Sequence, residues 1–213
     1  MIRFALSLTL FLAATLPAQA AVDIQEVKSP GGFKAWLVEE DSIPFAAIEI
    51  RFKGGASLDA EGKRGAINLM TATLEEGAAA MAARAFAEMR EELATRISFD
   101  SGDDSVSVSF RFLTENRDAS VALLKAALNE PRFDQDALDR VREQVLSNIR
   151  ADSTDPSSIA REAFSQAAWG DHPYATDEQG TVDSVSALTR DDLVEAHARA
   201  LAKDRVYVAA VGD

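Results

Sequence analysis

The sequence predicts an α+β domain in which a mostly antiparallel sheet packs against several helices. Three observations predict it. Short alternating apolar runs fill the first part of the chain, helical periodicity fills the middle, and one further β-like run closes it.

The first predicted strands are Asp23 to Lys28, Phe33 to Glu39 and Phe45 to Lys53. Ser29-Pro30-Gly31-Gly32 separates the first two and has the composition of a hairpin turn. In the third, Ile48, Ile50 and Phe52 point one way, Glu49 and Arg51 the other, and Gly54-Gly55 ends the run. Two helices are then expected. Lys63 to Glu76 places Ile67, Met70 and Leu74 on one face; Met81 to Thr95 does the same with Phe86, Met89 and Leu93. Ile97 to Asp100 and Ser105 to Leu113 read as a strand pair around the turn Gly102-Asp103-Asp104. In the second of these, Val106, Val108, Phe110 and Phe112 alternate strictly with polar residues.

Helices dominate the rest of the chain. Arg117 to Asn129 stops at Glu130-Pro131. Asp134 to Ala151 carries Leu138, Val141, Val145 and Ile149 as its apolar stripe, and Pro156 opens a helix running to Ala168. After the loop GDHPYATDEQGT, Thr189 caps another helix with Asp191 and Asp192 in its first turn. The closing run Val206 to Val211 is expected to pair back into the sheet.

The first twenty residues stand apart. MIRFALSLTLFLAATLPAQA has a basic start at Arg3, an apolar run from Phe4 to Leu16, and Ala18-Gln19-Ala20 before Ala21. This is the plan of a secretory signal peptide cleaved after Ala20. A membrane anchor is the rival reading, but the run is short for a bilayer span. Export to a periplasm fits the absence of cysteine, which rules out disulfides and thiolate metal sites. The formal charge of -13 disfavours nucleic acid and anionic lipid as partners.

Chemistry-bearing residues are scarce. His172 and His197 are the only histidines. His172 precedes Pro173 in a loop and is read as a packing or hydrogen-bonding residue; His197 is read as a solvated side chain on a surface helix. Neither has a serine–acid arrangement around it, and no G-x-S-x-G or phosphate-binding glycine pattern occurs. Asp103-Asp104 reads as a turn rather than a calcium site. Glu75-Glu76 reads as surface charge, because neighbours in sequence do not face each other on a helix.

Several segments in order resemble the N-terminal domain of the insulinase/pitrilysin (M16) metallopeptidases and their inactive partner subunits. They are FKGGASLD (Phe52 to Asp59), the helix after Gly65, NEPRFDQDALDRVREQVLSNIR (Asn129 to Arg150), HPYATDEQGT leading into the threonine-capped helix, and the closing VGD. The resemblance implies an M16-like domain of the LuxS/MPP-like metallohydrolase type over residues 21–213. A second, similar domain is expected beyond residue 213.

Active members of that family carry H-x-x-E-H on the first helix and a glutamate on the later long helix. Positions i and i+4 share a helix face, so two imidazoles can hold one zinc while the glutamate between them acts as general base. By resemblance, the two histidine positions fall on Asn68 and Ala72, the glutamate position on Thr71, and the distal ligand on Asn148. Alanine has no donor atom, threonine is no base at neutral pH, and asparagine binds zinc poorly. The resemblance therefore implies no catalytic residue and no zinc in this chain, zinc being expected only in an active partner.

It also implies a peptide-binding edge. In related peptidases the region of Ser98, Phe99, Asp100 and Ser101 pairs with an extended substrate, although the family's usual Asn-Ala-x-Thr is replaced here; an ordinary edge strand is the competing reading. The expected function is a non-catalytic periplasmic subunit that pairs with an active M16 homologue and helps form a peptide-holding chamber. A stand-alone peptide-binding or assembly protein and a self-sufficient zinc peptidase are the alternatives.

Overall fold

The computed structural model describes residues 22–213, so the segment expected to be a signal peptide lies outside the described residues. Six strands form one sheet: β1 (Gln25–Lys28), β2 (Lys34–Glu39), β3 (Phe45–Lys53), β6 (Arg96–Ser101), β7 (Ser105–Leu113) and β8 (Val206–Gly212). A separate ladder joins β4 (Gly77–Ala78) to β5 (Met81–Ala82). The large sheet runs in the order β1-β2-β8-β3-β7-β6. All its neighbours are antiparallel except β2 and β8. That parallel pair is possible because the helical part of the chain lies between them and supplies the crossover. The closing strand thus sits inside the sheet, as expected from its apolar run.

The seven described helices are α1 (Ala66–Thr73), α2 (Ala83–Glu92), α3 (Arg117–Asn129), α4 (Gln135–Asp152), α5 (Pro156–Trp169), α6 (Val182–Ser186) and α7 (Arg190–Ala200). None is long and apolar enough to cross a membrane. The core lies between one sheet face and these helices. Phe52, Val106, Val108, Phe110 and Phe112 pack there with Ile67, Met70 and Leu74 of the α1 segment, and with Phe86, Leu123, Leu138, Val145 and Leu193. Each fully buried side chain of this kind contributes roughly 1.5–3 kcal/mol.

Both early helices are shorter than the periodicity predicts. Gly65 has φ +93, a left-handed conformation that cannot belong to an α-helix, so α1 starts one residue later. Asp59 replaces a local cap: its carboxylate accepts from Gly65 N at 2.8 Å and Ile67 N at 2.9 Å. At the other end the chain leaves the helix to build the β4–β5 ladder, which also takes Met81 and Ala82 away from α2. Ala94, at φ +50, ends the second helical stretch. Met89 is 37% exposed rather than buried with Phe86, and on α4 Leu146 is buried while Val141 and Ile149 are only partly so.

Glu75 and Glu76 are not free surface charge. Glu75 is bridged by Arg90 and Glu76 by Arg140, tying the end of the first helical segment to α2 and α4. Helix α6 has no counterpart among the expected elements; Thr181 starts it with a reciprocal capping box to Ser184. Thr189 does cap α7, accepting from Asp192 N while Asp192 accepts from Thr189 N at 2.8 Å.

Candidate functional site

Helix α1 packs against β6, α4 and α7 and carries the first three replaced positions. Its packing face, Ile67, Met70 and Leu74, is fully buried. Asn68 is half-buried and its amide Nδ2 donates to Ser101 Oγ at 3.1 Å, so this position faces the end of β6. Ala72, one turn on, is exposed. Thr71 is buried, and its hydroxyl has no hydrogen-bond partner among the described residues. Asn148 lies exposed on α4, where its side-chain oxygen accepts from Gln144 Nε2 at 3.0 Å. The four positions therefore stand on two helices in mutual contact, and the two asparagines are engaged in local hydrogen bonds.

Strand β6 is at the edge of the sheet, paired on one side with β7. Ser98 and Asp100 are exposed and Ser101 half-buried, while Phe99 is buried in the core. A segment added along this edge would meet Phe99 through its backbone alone, and would meet Ser98 and Asp100 as side chains.

A network beside α1 holds this arrangement, and Arg64 is its centre. The guanidinium donates to Ala56 O, to Asp177 O at 3.0 Å, to Thr176 O at 2.7 Å and to Asp103 Oδ1 at 3.1 Å. One side chain thereby joins the β3–α1 loop, the β6–β7 turn and the HPYATDEQGT loop. Asp59 lies next to it, 3.8 Å from the guanidinium. Burial pushes the Asp59 carboxyl above its ordinary range, against the pull of its two backbone donors and of Arg64. Glu178 is likewise raised, first by burial and then by Asp103 and Asp177, with Arg64 opposing.

Two glycines bring the same elements together at backbone level. A Cβ on Gly65 would lie 2.4 Å from Gln179 O, and one on Gly180 would lie 2.4 Å from Arg64 O. No side chain fits between these backbones. The HPY motif finishes the clamp: His172 Nδ1 accepts from Tyr174 N at 3.2 Å, and the Tyr174 hydroxyl donates to Asp104. The hydrogen-bonding role expected for His172 is thus its role in the fold. His197 is not the solvated side chain its helix pattern suggests. It is half-buried, with Nε2 2.9 Å from Leu128 O and its ring near that of Phe133.

Sequence reading misses Arg64 and Asp59 because neither sits at a metal-ligand spacing. The available signal is an arginine directly before the helix-opening glycine, with an aspartate six residues before that glycine.

An M16-type α+β domain is the class that this fold defines. The profile of the insulinase family (peptidase family M16) matches residues 35–181, and the chain belongs to that family. It is 27% identical over 210 residues to the non-peptidase homolog YmxG of Helicobacter pylori, covering 97% of this chain and 48% of that protein. An uncharacterized zinc protease of Mycobacterium leprae is 23% identical over 184 residues, covering 86% of this chain and 41% of that one. Among solved structures, a peptidase M16 inactive domain from Pseudomonas fluorescens superposes with a TM-score of 0.85 at 28% identity, over 90% of this chain and 47% of that one. A protease from Helicobacter pylori shares the fold, with a TM-score of 0.79 at 18% identity over 91% and 47% of the two chains. The chain spans about half the length of these relatives.

The family's zinc can be tested against the residues present. Two amides, a buried hydroxyl and a methyl group do not form the nitrogen and carboxylate set that zinc requires. Among the described residues, no three histidine, aspartate or glutamate side chains gather where they could share an ion. The residues do not fit the metal, and no hydrolytic step can be drawn through them.

Proposed function

We propose that this chain is a non-catalytic M16-type subunit, exported to the periplasm, that joins an active zinc-bearing homologue and helps enclose a peptide. The observation that carries the reading is the division of α1 into two fates. Its core face is buried and the surrounding clamp of Arg64, Gly65 and Gly180 is tightly packed, while the positions that would hold a metal have Asn68, Thr71 and Ala72. Selection for catalysis would not leave that face without ligands; selection for shape would leave the packing. The inactive Pseudomonas domain and the non-peptidase Helicobacter homologue support the non-catalytic part of this reading. Such a subunit has no peptidase activity by itself.

Peptide contact remains chemically possible without zinc. The outer edge of β6 offers backbone donors and acceptors, with Ser98, Asp100 and Ser101 as neighbouring polar groups and Phe99 fixing the strand from inside. That edge also supports a second reading, a stand-alone peptide-binding protein, because strand addition needs no partner subunit.

Mixing the purified chain with an H-x-x-E-H homologue from the same cell separates the two. A joint complex in gel filtration, with peptide cleavage appearing or rising only in the mixture, is the expected result. Peptide binding by the chain alone, with neither a complex nor any change in cleavage, would replace the subunit reading with the stand-alone one.

A further inference from the structure

At the end of the sheet farthest from β6, strands β1, β2 and β8 form one side of an open cleft of about 550 Å³. Lys34, Lys53, Lys203 and Arg205 line it, with Trp36 and Tyr207 in its wall. The register places further charges beside them: Lys28 stands opposite Lys34 and Arg51 opposite Tyr207, with Glu49, which accepts from the Ser109 hydroxyl, opposite Ala209. The carboxylates in the lining are Glu26 and Asp204. Glu26 is engaged by Lys34 at 2.7 Å, and Asp204 meets Arg205 only loosely at 3.7 Å. Lys53 and Lys203 have no carboxylate partner among the described residues; Lys53 instead sits 5.4 Å from the centre of the Tyr207 ring.

Such a cluster is anomalous on a chain of formal charge -13. Lys53 and Lys203, the two lining cations without a counter-charge among the described residues, gain from an incoming anion, while the surrounding acidic surface discourages anions elsewhere. The aromatic rings supply the second half of the specificity. Trp36 is 52% exposed and Tyr207 45%, so both present apolar faces next to the ammonium groups. Trp36 lies between Glu26 and Ala209 in the register, and the small Ala209 leaves room beside the indole.

We propose that this cleft binds an acidic peptide segment carrying an aromatic or large aliphatic residue between its carboxylates. Lys53 and Lys203 take the carboxylates, and Trp36 and Tyr207 take the apolar side chain. The cleft is an open trough lined from four strands, β1, β2, β8 and the end of β3, which suits several consecutive side chains of a segment. It lies across the sheet from the β6 edge, so the proposal stands independently of the peptide edge and of any zinc-bearing partner.

The test is fluorescence anisotropy of the purified full-length chain with the labelled probe Glu-Glu-Phe-Asp-Glu-Leu and with a twin in which lysine replaces every acid. The acidic probe is expected to bind and the basic twin not, with affinity falling as salt rises. The double variant Lys53→Glu/Lys203→Glu changes two exposed side chains, and circular dichroism checks that its fold persists. It should weaken binding about tenfold or more, since each lost pair becomes a repulsion. Trp36→Ala should weaken binding while leaving the salt dependence unchanged. Failure to bind the acidic probe, equal binding of the twin, or unchanged binding by the charge-reversed variant would overturn the proposal. Displacement of the probe by inorganic phosphate at equal concentration would also overturn it, by reducing the cleft to a general anion site.

Discussion

Replacing Gly65 by alanine should destabilise the fold far more than a surface glycine substitution, and the structure says by how much. Gly65 lies at φ +93, where an L-residue is strained by about 1–2 kcal/mol. Its new Cβ would also lie 2.4 Å from Gln179 O and 3.0 Å from Val185 Cγ2. The carbonyl belongs to the backbone of a loop pinned by Arg64 and Gly180, so relief requires moving that loop, at a further cost of about 1–3 kcal/mol. Gly62 supplies the control: its φ is +72, but nothing lies within 4 Å of the added Cβ. Gly62→Ala should therefore show the backbone strain alone. Urea unfolding of the two variants isolates the contact as their difference, about 1–3 kcal/mol. Equal destabilisation would sink this explanation, because the backbone approach between Gly65 and Gln179 would then be no constraint.

Arg64→Met should cost about 1–3 kcal/mol, since it removes the donor to Asp103 and Thr176 O and the second donor to Ala56 O and Asp177 O, which keep Asp59 N and Gly180 N, and Arg64→Lys should restore only part of that loss; urea midpoints and faster proteolysis of the 171–181 loop are the readouts. Thr71→Val should raise stability by about 1 kcal/mol, because it removes a buried hydroxyl that has no partner at nearly constant volume; a loss in the unfolding midpoint would contradict this. His197 titrates below its unfolded value because burial disfavours its charged form, an effect that the Leu128 carbonyl only partly offsets. Between the two values the unfolded chain binds the proton more tightly. Stability should therefore fall as pH drops from about 6.5 through the lowered folded value, and His197→Gln should remove that component in paired unfolding series.

The sheet is legible in the sequence wherever burial on one face imposes a two-residue period. β7 is the clearest case, because Val106, Val108, Phe110 and Phe112 all reach the core. The ends of the helices are less legible. A 3.6-residue period continues through Lys63 and Met81, but the left-handed Gly65 and the β4–β5 ladder are decided by contacts with distant segments. Met89 departs from its pattern for a related reason: α2 covers the core through Phe86 and leaves the next turn near the surface. The positions Asn68, Thr71, Ala72 and Asn148 come from the family resemblance, whose ligand motif has a fixed spacing along a helix. Arg64, the centre of the clamp, has no such local period. Its partners at Ala56, Asp103, Thr176 and Asp177 come from loops that only the folded chain brings together. The burial of His197 is hidden from the sequence for the same reason, since Leu128 O reaches it from another helix.

Metal content and peptide-cleaving activity of the purified chain alone, measured after equilibration with zinc and dialysis, decide most directly whether this domain is a peptidase scaffold without its metal. No stoichiometric zinc and no chelator-sensitive cleavage are expected, because Asn68, Thr71, Ala72 and Asn148 provide no ligand set. One zinc per chain, with cleavage abolished by chelation, would contradict that reading.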